Sequence, residues 1–309
     1  MSYLLVAIIA YFLVGLEVIL DKFLLTSKRV SHPSIYAFYV GLMSLFALAL
    51  FPFGFHLLSF QESFLILLPG IVFAYGILSM FFAVRKSEAS RVVPVVGAVT
   101  PIVTYFLSVF FLRERLTHFQ ILGVVVLILG GLLISFEFPL RINKKKFFHG
   151  FYYSIAAGVM LAVAFTWFKI FFEKDNFANV FIWTRFGLFL GAASLLLFPF
   201  WRKKIFNSFN GFRKPEKENV GTGALFVANK ALGGIGSALT NYAIFLGSVT
   251  VVNALVSTEY VFILALGLIL SVRFPKIFQE EEDFLNVFQK VISIILITLG
   301  IILVSLKRL

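Results

Sequence analysis

The chain has 309 residues, of which 60% are hydrophobic and 14% are charged. An ordinary soluble domain is about half apolar with roughly a quarter of its residues charged, so this composition excludes a soluble globular protein. The sequence contains no cysteine, which excludes disulfides and thiolate metal sites, and its four histidines argue against a histidine metal cluster. The net charge of +12 lies in short basic segments between apolar runs, a pattern that fits anionic lipid head groups and not nucleic acid.

Apolar runs of about 20 residues, the length that a helix needs to cross a bilayer, recur along the whole chain. Barrel strands would alternate apolar and polar residues, whereas these runs are continuously apolar. The first run carries Glu17, Asp21 and Lys22 and has no basic segment before it, so we expect it to remain in the protein and not to be cleaved as a signal. The sequence predicts an all-α polytopic membrane protein with ten transmembrane helices, at residues 2–25, 34–54, 63–84, 91–112, 118–136, 149–172, 177–200, 221–247, 250–271 and 288–306.

The two halves of the chain show weak internal repetition. One shift places Phe51-Pro52-Phe53 on Phe198-Pro199-Phe200 and Lys22 on Lys169. Five spans in each half would insert the second copy upside down relative to the first, as in many secondary transporters. We therefore predict a first five-helix repeat at residues 1–136, a basic linker at 137–148 and a second, inverted repeat at 149–309. The polar segments 201–219 and 280–283 are expected to be solvated loops.

A family resemblance rests on the end of the first half. Ala89-Ser90 and Val92-Val93-Pro94 lead to Thr100-Pro101-Ile102, then to Leu112-Arg113-Glu114-Arg115-Leu116, and glycines follow at Gly123 and Gly130-Gly131. This segment resembles the end of an EamA-type repeat of the drug/metabolite transporter superfamily. In the second half, Ser271-Val272-Arg273-Phe274-Pro275 replaces the Glu-containing turn. The resemblance implies ten helices and the transport, commonly the export, of amino acids, other metabolites or drug-like compounds.

Charged side chains inside a span are costly and usually mark a pathway or a binding site. Glu17 and Asp21 lie four residues apart on one helix face, where one of them could carry a proton. The alternative is that Asp21 pairs with a basic residue at the membrane edge. Glu259 is the deepest acid in the chain and is flanked by Tyr260, so we expect it to act in coupling or substrate sensing with Arg185 or Lys230 as its opposite charge. The alternative for Glu259 is a buried ion pair that only fixes the helix register.

Other polar side chains extend this candidate site. Arg185 lies too deep in its span to reach the head groups and could hold a carboxylate or a phosphate. Lys230 and Asn241 fall on nearly one face of span eight, a pattern typical of a cavity lining. Thr100 lies in span four, whose two prolines each remove a helix hydrogen bond and indicate a span that lines a cavity.

These observations favour a secondary transporter that moves a small polar or amphipathic metabolite by alternating access, with export and proton coupling as expected features. Motifs for phosphate loops, nucleophile elbows and zinc peptidases do not occur, so we expect no enzymatic activity, no cofactor and no metal. The alternatives are a membrane-embedded lipid-modifying enzyme and a scaffold or sensor that does not transport. The expected partners are a small-molecule substrate and membrane lipid, in a monomer or a homodimer.

The predicted location is the plasma membrane of a bacterium or an archaeon, with several spans. Basic loops follow spans one, three, five and seven, and the loop after span two has no Lys or Arg. The positive-inside rule then places both termini outside the cell. The family resemblance implies termini inside, and we favour the charge pattern.

Overall fold

The computed structural model describes residues 2–25, 32–86, 89–135, 144–211, 218–273 and 284–306, and this part of the chain is all α-helical without strands. The helices are α1 Tyr3–Leu25, α2 Pro33–Met43, α3 Phe60–Lys86, α4 Ala89–Leu107, α5 His118–Ser135, α6 Lys144–Phe172, α7 Phe177–Ser194, α8 Pro199–Gly211, α9 Glu218–Leu246, α10 Val249–Ala254, α11 Val256–Arg273 and α12 Phe284–Ser305. Three helices continue in tighter or wider turns, α2 through Ser44–Phe53, α4 through Ser108–Leu112 and α7 through Leu195–Leu197.

Each predicted span coincides with a helix or a helix with its continuation, to within a few residues. Nine of the described helical segments are long and apolar enough to cross a membrane. The chain is therefore an integral membrane protein with several spans. Helix α9 is not among these nine, although its 29 residues exceed the length of a span. Its polar residues, Asn229, Lys230 and Asn241 among them, lower its hydropathy.

Part of the segment expected as a loop at 201–219 is helix α8, so that expectation was wrong. Pro199 occupies the first helical position, where its missing N–H costs nothing. Arg202 and Lys203 are exposed, whereas Ile205 is fully buried against Ile35 and Phe38 of α2. The high density of basic residues concealed a short amphipathic helix. The acidic run at 280–283 lies outside the described residues.

Helix pairs from the two halves pack against each other in a reciprocal pattern. Helix α1 contacts α9 and α11, α6 contacts α3 and α4, and α5 contacts α12. Helix α3 also packs closely on α7, where a Cβ atom at Gly70 would lie 2.2 Å from the carbonyl oxygen of Thr184 and one at Gly187 would lie 2.3 Å from that of Leu67. Only glycine permits this approach of two helix backbones.

Span nine is interrupted between α10 and α11, next to the turn that follows span four. Ser248 caps α10 by accepting a hydrogen bond from the Val251 N–H at 3.0 Å. One residue beyond the helix start, the Thr250 hydroxyl donates to Glu114 Oε2 at 2.8 Å and lies 2.9 Å from the Ser108 hydroxyl. Arg113 adopts a left-handed conformation with φ of 53°. The Leu112–Leu116 turn thus holds the end of span four against the start of the interrupted helix.

The two ends of the bundle carry different charges. At one end, Lys204 and Arg85 lie close enough to His32 to interact with it electrostatically. Burial and these two cations lower the pKa of His32 to about 4. At the opposite end, His56 contacts Asp175 at 3.2 Å and Asn176 donates a hydrogen bond to the Gly54 carbonyl at 3.0 Å. Both the first helix and the last described helix have their terminal ends at this second end.

Candidate functional site

An ion pair joins α1 to α9 inside the bundle. Lys230 Nζ lies 2.7 Å from Glu17 Oε1, and the two side chains are 8% and 20% exposed. The same ammonium group lies over the ring of Tyr36 from α2, 5.1 Å from its centroid. A Cβ atom at Gly233 would lie 2.0 Å from Glu17 Oε2, so the glycine provides the space for the carboxylate beside α9.

Arg185 of α7 is a buried cation with a different environment. Only 6% of the residue is exposed, and the guanidinium lies over the rings of Phe181 and Phe73 at 4.5 and 5.4 Å. Its Nη2 donates a hydrogen bond to the Ser237 hydroxyl of α9 at 3.3 Å. Its Nε has no hydrogen-bond partner, and the described part of the chain supplies no acid within ion-pair distance.

Ser237 connects Arg185 to a second incompletely bonded side chain. Asn241 Nδ2 donates to the Ser237 carbonyl at 2.8 Å, which fixes the orientation of the amide. Asn241 is 1% exposed, and its Oδ1 has no hydrogen-bond partner among the described residues. A buried donor and a buried acceptor, both without partners, therefore lie around one serine.

Glu259 lies in the first turn of α11 and is 8% exposed. The hydrogen bonds and ion pairs of the described residues do not include one to its carboxylate. The expected pairing of Glu259 with Arg185 or Lys230 is absent, because Lys230 pairs with Glu17 and α1 packs against both α9 and α11.

Arg185 and Glu259 lie at similar depths in the bundle, and Glu17 lies farther from the same end. Tyr3, Phe177 and Val249 begin their segments at the same end as the last turn of α9, since the Phe177 ring packs edge-on against Tyr242 and at a tilt against Phe245 there. At 1.5 Å per residue, Arg185 lies about 12 Å, Glu259 about 15 Å and Glu17 about 21 Å from that end. Because the hydrocarbon layer is about 30 Å thick, Arg185 and Glu259 are near its middle.

Aromatic rings separate Arg185 from the nearer end of the bundle. Phe177 lies 5.3 Å from Phe181, 5.1 Å from Tyr242 and 5.6 Å from Phe172, measured between ring centroids. On the other side, the Glu17–Lys230 pair lies on α9 about 10 Å beyond Ser237. The Arg185 group is thus enclosed between an aromatic cluster, formed by Phe172, Phe177, Phe181, Tyr242 and Phe245, and an ion pair.

The remaining predicted residues have other surroundings. The Thr100 hydroxyl donates to the Val96 carbonyl at 2.8 Å and to the Gly158 carbonyl of α6 at 3.4 Å, so it lies in the α4–α6 interface. Tyr260 is buried and donates to the Val93 carbonyl of α4 at 3.3 Å. Asp21 belongs to α1, and its side chain lies outside the described part of the structure.

Sequence reasoning did not select Ser237, Tyr36 or the two phenylalanines beside Arg185. A signal for Ser237 exists, because it lies seven residues after Lys230 and four before Asn241, on the same helix face. Tyr36 and the phenylalanines carried no such signal in a chain with 41 Phe and 10 Tyr. No cluster of three or more metal-ligating side chains occurs among the described residues.

Comparisons with known proteins agree with this architecture. Residues 1–136 match the model of the EamA-like transporter family. The match covers less than half of the 309 residues, so the similarity to this family concerns the first half of the chain. The family comprises membrane transporters of the drug/metabolite superfamily and not enzymes. The Leu112–Leu116 turn and the glycines of α5 lie within the matched residues, whereas the Arg185 group lies outside them.

Two further similarities concern a relative and a solved structure. The chain is 36% identical over 69 residues to the uncharacterized protein MJ1333.1 of Methanocaldococcus jannaschii. That alignment covers 22% of this chain and 50% of the relative, so the chain spans about half the length of the curated relative that it matches. A crystal structure of another protein is similar over 98% of both chains, with a TM-score of 0.68 at 19% identity. At that identity the similarity shows the fold alone.

Proposed function

We propose that this EamA-like protein is a secondary transporter that moves a small polar or amphipathic metabolite by alternating access. The observation that carries this proposal is that two ionisable side chains, Arg185 and Glu259, lie near mid-membrane without ion-pair partners in the described chain. A charge in hydrocarbon is retained at such a depth when it serves a ligand, an ion or a proton. A substrate that enters from either side would supply the missing partner.

The reciprocal packing of the halves supports two inverted repeats, at residues 1–136 and 149–309. Exchange of the halves converts the contact of α1 with α9 and α11 into that of α6 with α3 and α4, and it maps the α5–α12 contact onto itself. Two halves related in this way can tilt about a shared site and open it to each side in turn. The Arg185 group lies at the contact between them, since Arg185 of α7 lies over the ring of Phe73 of α3.

The Glu17–Lys230 ion pair and the aromatic cluster, which enclose the Arg185 group, would serve as gates. On one side, separation of Lys230 from Glu17 and Tyr36 would open a path between α2 and α9. On the other side, rotation of the rings around Phe177 would open a path beside α7. Alternating access requires that only one gate is open at a time, and the structure has both in contact.

We further propose that Glu259 couples transport to protons. Glu259 is buried near mid-membrane, and the hydrogen bonds and ion pairs of the described residues do not include one to its carboxylate, so uptake of a proton is a means of neutralising it there. Glu259→Gln keeps the size and the hydrogen-bonding groups but removes the titration, so flux should lose its pH dependence or fail while the protein still inserts. Normal flux with an unchanged pH profile, together with loss of flux in Glu17→Gln, would assign the coupling to α1.

Flux measurements on purified protein in sealed liposomes test the transport proposal. A panel of amino acids, hydroxy acids, amines and sugars should include at least one solute that exchanges across the membrane only when the protein is present. Arg202→Gln on exposed α8 is the matched control and should transport like the parent. Product formation in detergent without a gradient would favour a lipid-modifying enzyme. If no solute in the panel exchanges across the membrane, that result would count against transport and favour a scaffold or sensor.

The charges of the bundle ends support an orientation with both termini outside. Arg85, Lys86, Arg202 and Lys203 are exposed at the end opposite to the termini. The positive-inside rule places that end in the cytoplasm of a bacterial or archaeal cell. A C-terminal reporter that is active only in the cytoplasm should therefore be silent, and strong activity would reverse the orientation.

A further inference from the structure

His32 carries a buried hydrogen-bond donor at the end of the bundle opposite to the chain termini. The residue is 6% exposed, and its Nδ1 accepts hydrogen bonds from the Ser34 N–H at 3.3 Å and from the Ser34 hydroxyl at 2.8 Å. A neutral imidazole that accepts through Nδ1 carries its proton on Nε2. The hydrogen bonds of the described residues do not include one to Nε2. A buried N–H without an acceptor is costly, so this atom indicates a ligand that has an acceptor group.

Two cations lie beside this donor. The centroid of the His32 ring is 6.0 Å from that of Phe200 in α8 and 6.0 Å from that of Phe82 in α3. Lys204 Nζ lies over the same Phe200 ring, 4.2 Å from its centroid. Arg85 follows Phe82 by three residues and so lies on the same face of α3. Both cations act electrostatically on His32, and the described residues place no acid within ion-pair distance of either one. The acceptor that fits this donor is therefore an anion.

The apolar surroundings of the two cations indicate that the anion belongs to a lipid. Leu197, Phe198 and Phe200 lie at the turn between α7 and α8, and all three side chains are exposed. Exposed apolar side chains beside cations suit the boundary between lipid head groups and acyl chains. Basic pockets between the ends of membrane helices bind the head groups of anionic lipids. A free phosphate ion would gain nothing from the exposed rings.

We propose that His32 Nε2, Lys204 and Arg85 bind the phosphate of an anionic phospholipid where α2, α3 and α8 meet. The phosphate accepts a hydrogen bond from Nε2 and lies between the two cations, and the acyl chains extend along the exposed rings of Phe198 and Phe200. The bound lipid links α8, through Lys204, to α3, through Arg85. None of the residues around Arg185 takes part, so this site does not depend on the proposed transport.

Native mass spectrometry of the purified, full-length protein counts bound lipids and tests the site. Dioleoylphosphatidylglycerol is the anionic probe, and dioleoylphosphatidylcholine has the same acyl chains but no net charge. The parent should bind one phosphatidylglycerol about tenfold or more tightly than phosphatidylcholine, because choline would bring a further cation next to Lys204 and Arg85. Salt at about 0.15 M screens exposed charges beyond about 8 Å. Inorganic phosphate and glycerol 3-phosphate, in excess, should not displace the lipid.

Substitutions assign the contacts to residues. Lys204→Gln and Arg85→Gln should each weaken the binding of phosphatidylglycerol about tenfold, because each removes a charged contact to the phosphate. Arg85 is exposed, so its replacement should leave the fold intact. Lys204→Arg keeps the charge and should bind like the parent. His32→Asn keeps the cap of α2 but withdraws the Nε2 donor, and it should also weaken binding about tenfold.

Arg202→Gln is the matched control. It removes the same charge from the same helix, but Arg202 is exposed two residues before Lys204 and therefore lies on another face of α8. This variant should bind phosphatidylglycerol like the parent.

Several results would overturn the lipid site. Equal affinity of the parent for the two lipids would contradict the preference for an anionic head group. Displacement of phosphatidylglycerol by inorganic phosphate would assign the site to a soluble anion. Equal losses in Arg202→Gln and Lys204→Gln would show that binding follows the net charge of the surface and not these particular residues. Undiminished binding in both Lys204→Gln and Arg85→Gln would place the lipid elsewhere on the protein.

Discussion

The protein buries two cations on facing helices in different ways. Lys230 lies 2.7 Å from Glu17, whereas Arg185 has a serine hydroxyl and two aromatic rings but no acid among the described residues. A buried pair can be retained for structure alone, because each charge compensates the other. An unpaired buried charge has no such structural explanation. The contrast supports the proposals that Glu17–Lys230 has a gating and structural role and that Arg185 binds a ligand.

The largest expected effect on stability follows from breaking the pair. Lys230→Met leaves Glu17 buried without its cation, so the free energy of unfolding should fall by roughly 3 kcal/mol. The double variant Lys230→Met, Glu17→Gln removes both charges and should recover most of that loss. Unfolding in mixed micelles measures the free energy of unfolding of the single and the double variant. A double variant that is no more stable than Lys230→Met would show that the pair is not the source of the effect.

A smaller effect on stability is expected from His32, because its neighbours Lys204 and Arg85 are cations and disfavour the protonated ring. Burial, Lys204 and Arg85 lower the pKa of His32 to about 4, so the folded protein favours the neutral ring. Below the ordinary pKa of about 6.5 the unfolded chain binds a proton that the folded chain does not, and stability should fall by about 2 kcal/mol between pH 6.5 and pH 4.

His32→Asn provides the test of that pH dependence. The His32 Nδ1 accepts a hydrogen bond from the Ser34 N–H at 3.3 Å at the start of α2, and asparagine can keep this cap. Unfolding measured across this range should therefore lose the part of its slope that belongs to His32. An equal slope in the parent and the variant would contradict the stated environment of the ring.

The smallest effect is expected from adjacent glycines on α9. A Cβ atom at Gly233 would meet the Glu17 carboxylate, whereas one at Gly234 would meet no atom within 4 Å. Gly233→Ala should displace Glu17 and destabilise the protein by about 1 kcal/mol. Gly234→Ala is the matched control and should be neutral or slightly stabilising, because alanine favours the helix. Equal effects would mean that the carboxylate does not occupy the space beside Gly233.

The fold could be predicted from the sequence because the thickness of the bilayer sets the length that an apolar segment needs to cross it. Nearly all span boundaries follow from charge, proline and glycine at the ends of runs of about 20 residues. Helix α8 could not be predicted in this way, since Arg202, Lys203 and Lys204 gave the segment the composition of a loop. The break at Leu255 between α10 and α11 lacks a proline or a glycine, so hydropathy alone did not indicate it.

The candidate site could be predicted only as a set of residues and not as contacts. Their depth within the predicted spans identified Glu17, Arg185, Lys230 and Glu259. A charged residue in the middle of an apolar run is costly, and its position in the run can be recognised from the sequence alone. Which acid pairs with Lys230 depends on the rotation of α1 between α9 and α11, and a single sequence does not contain that information. Ser237 acquires its importance from Arg185 on another helix, and so it resembled an ordinary membrane serine.

The most direct test of the central claim compares Arg185→Met with Lys230→Met in the same two assays. Because Arg185→Met removes an unpaired charge, we expect its free energy of unfolding to be within about 1 kcal/mol of that of the parent or higher, while flux in liposomes is lost. Lys230→Met should instead lose stability. Strong destabilisation of Arg185→Met, or full flux through it, would contradict the claim that Arg185 is kept in the membrane for a ligand.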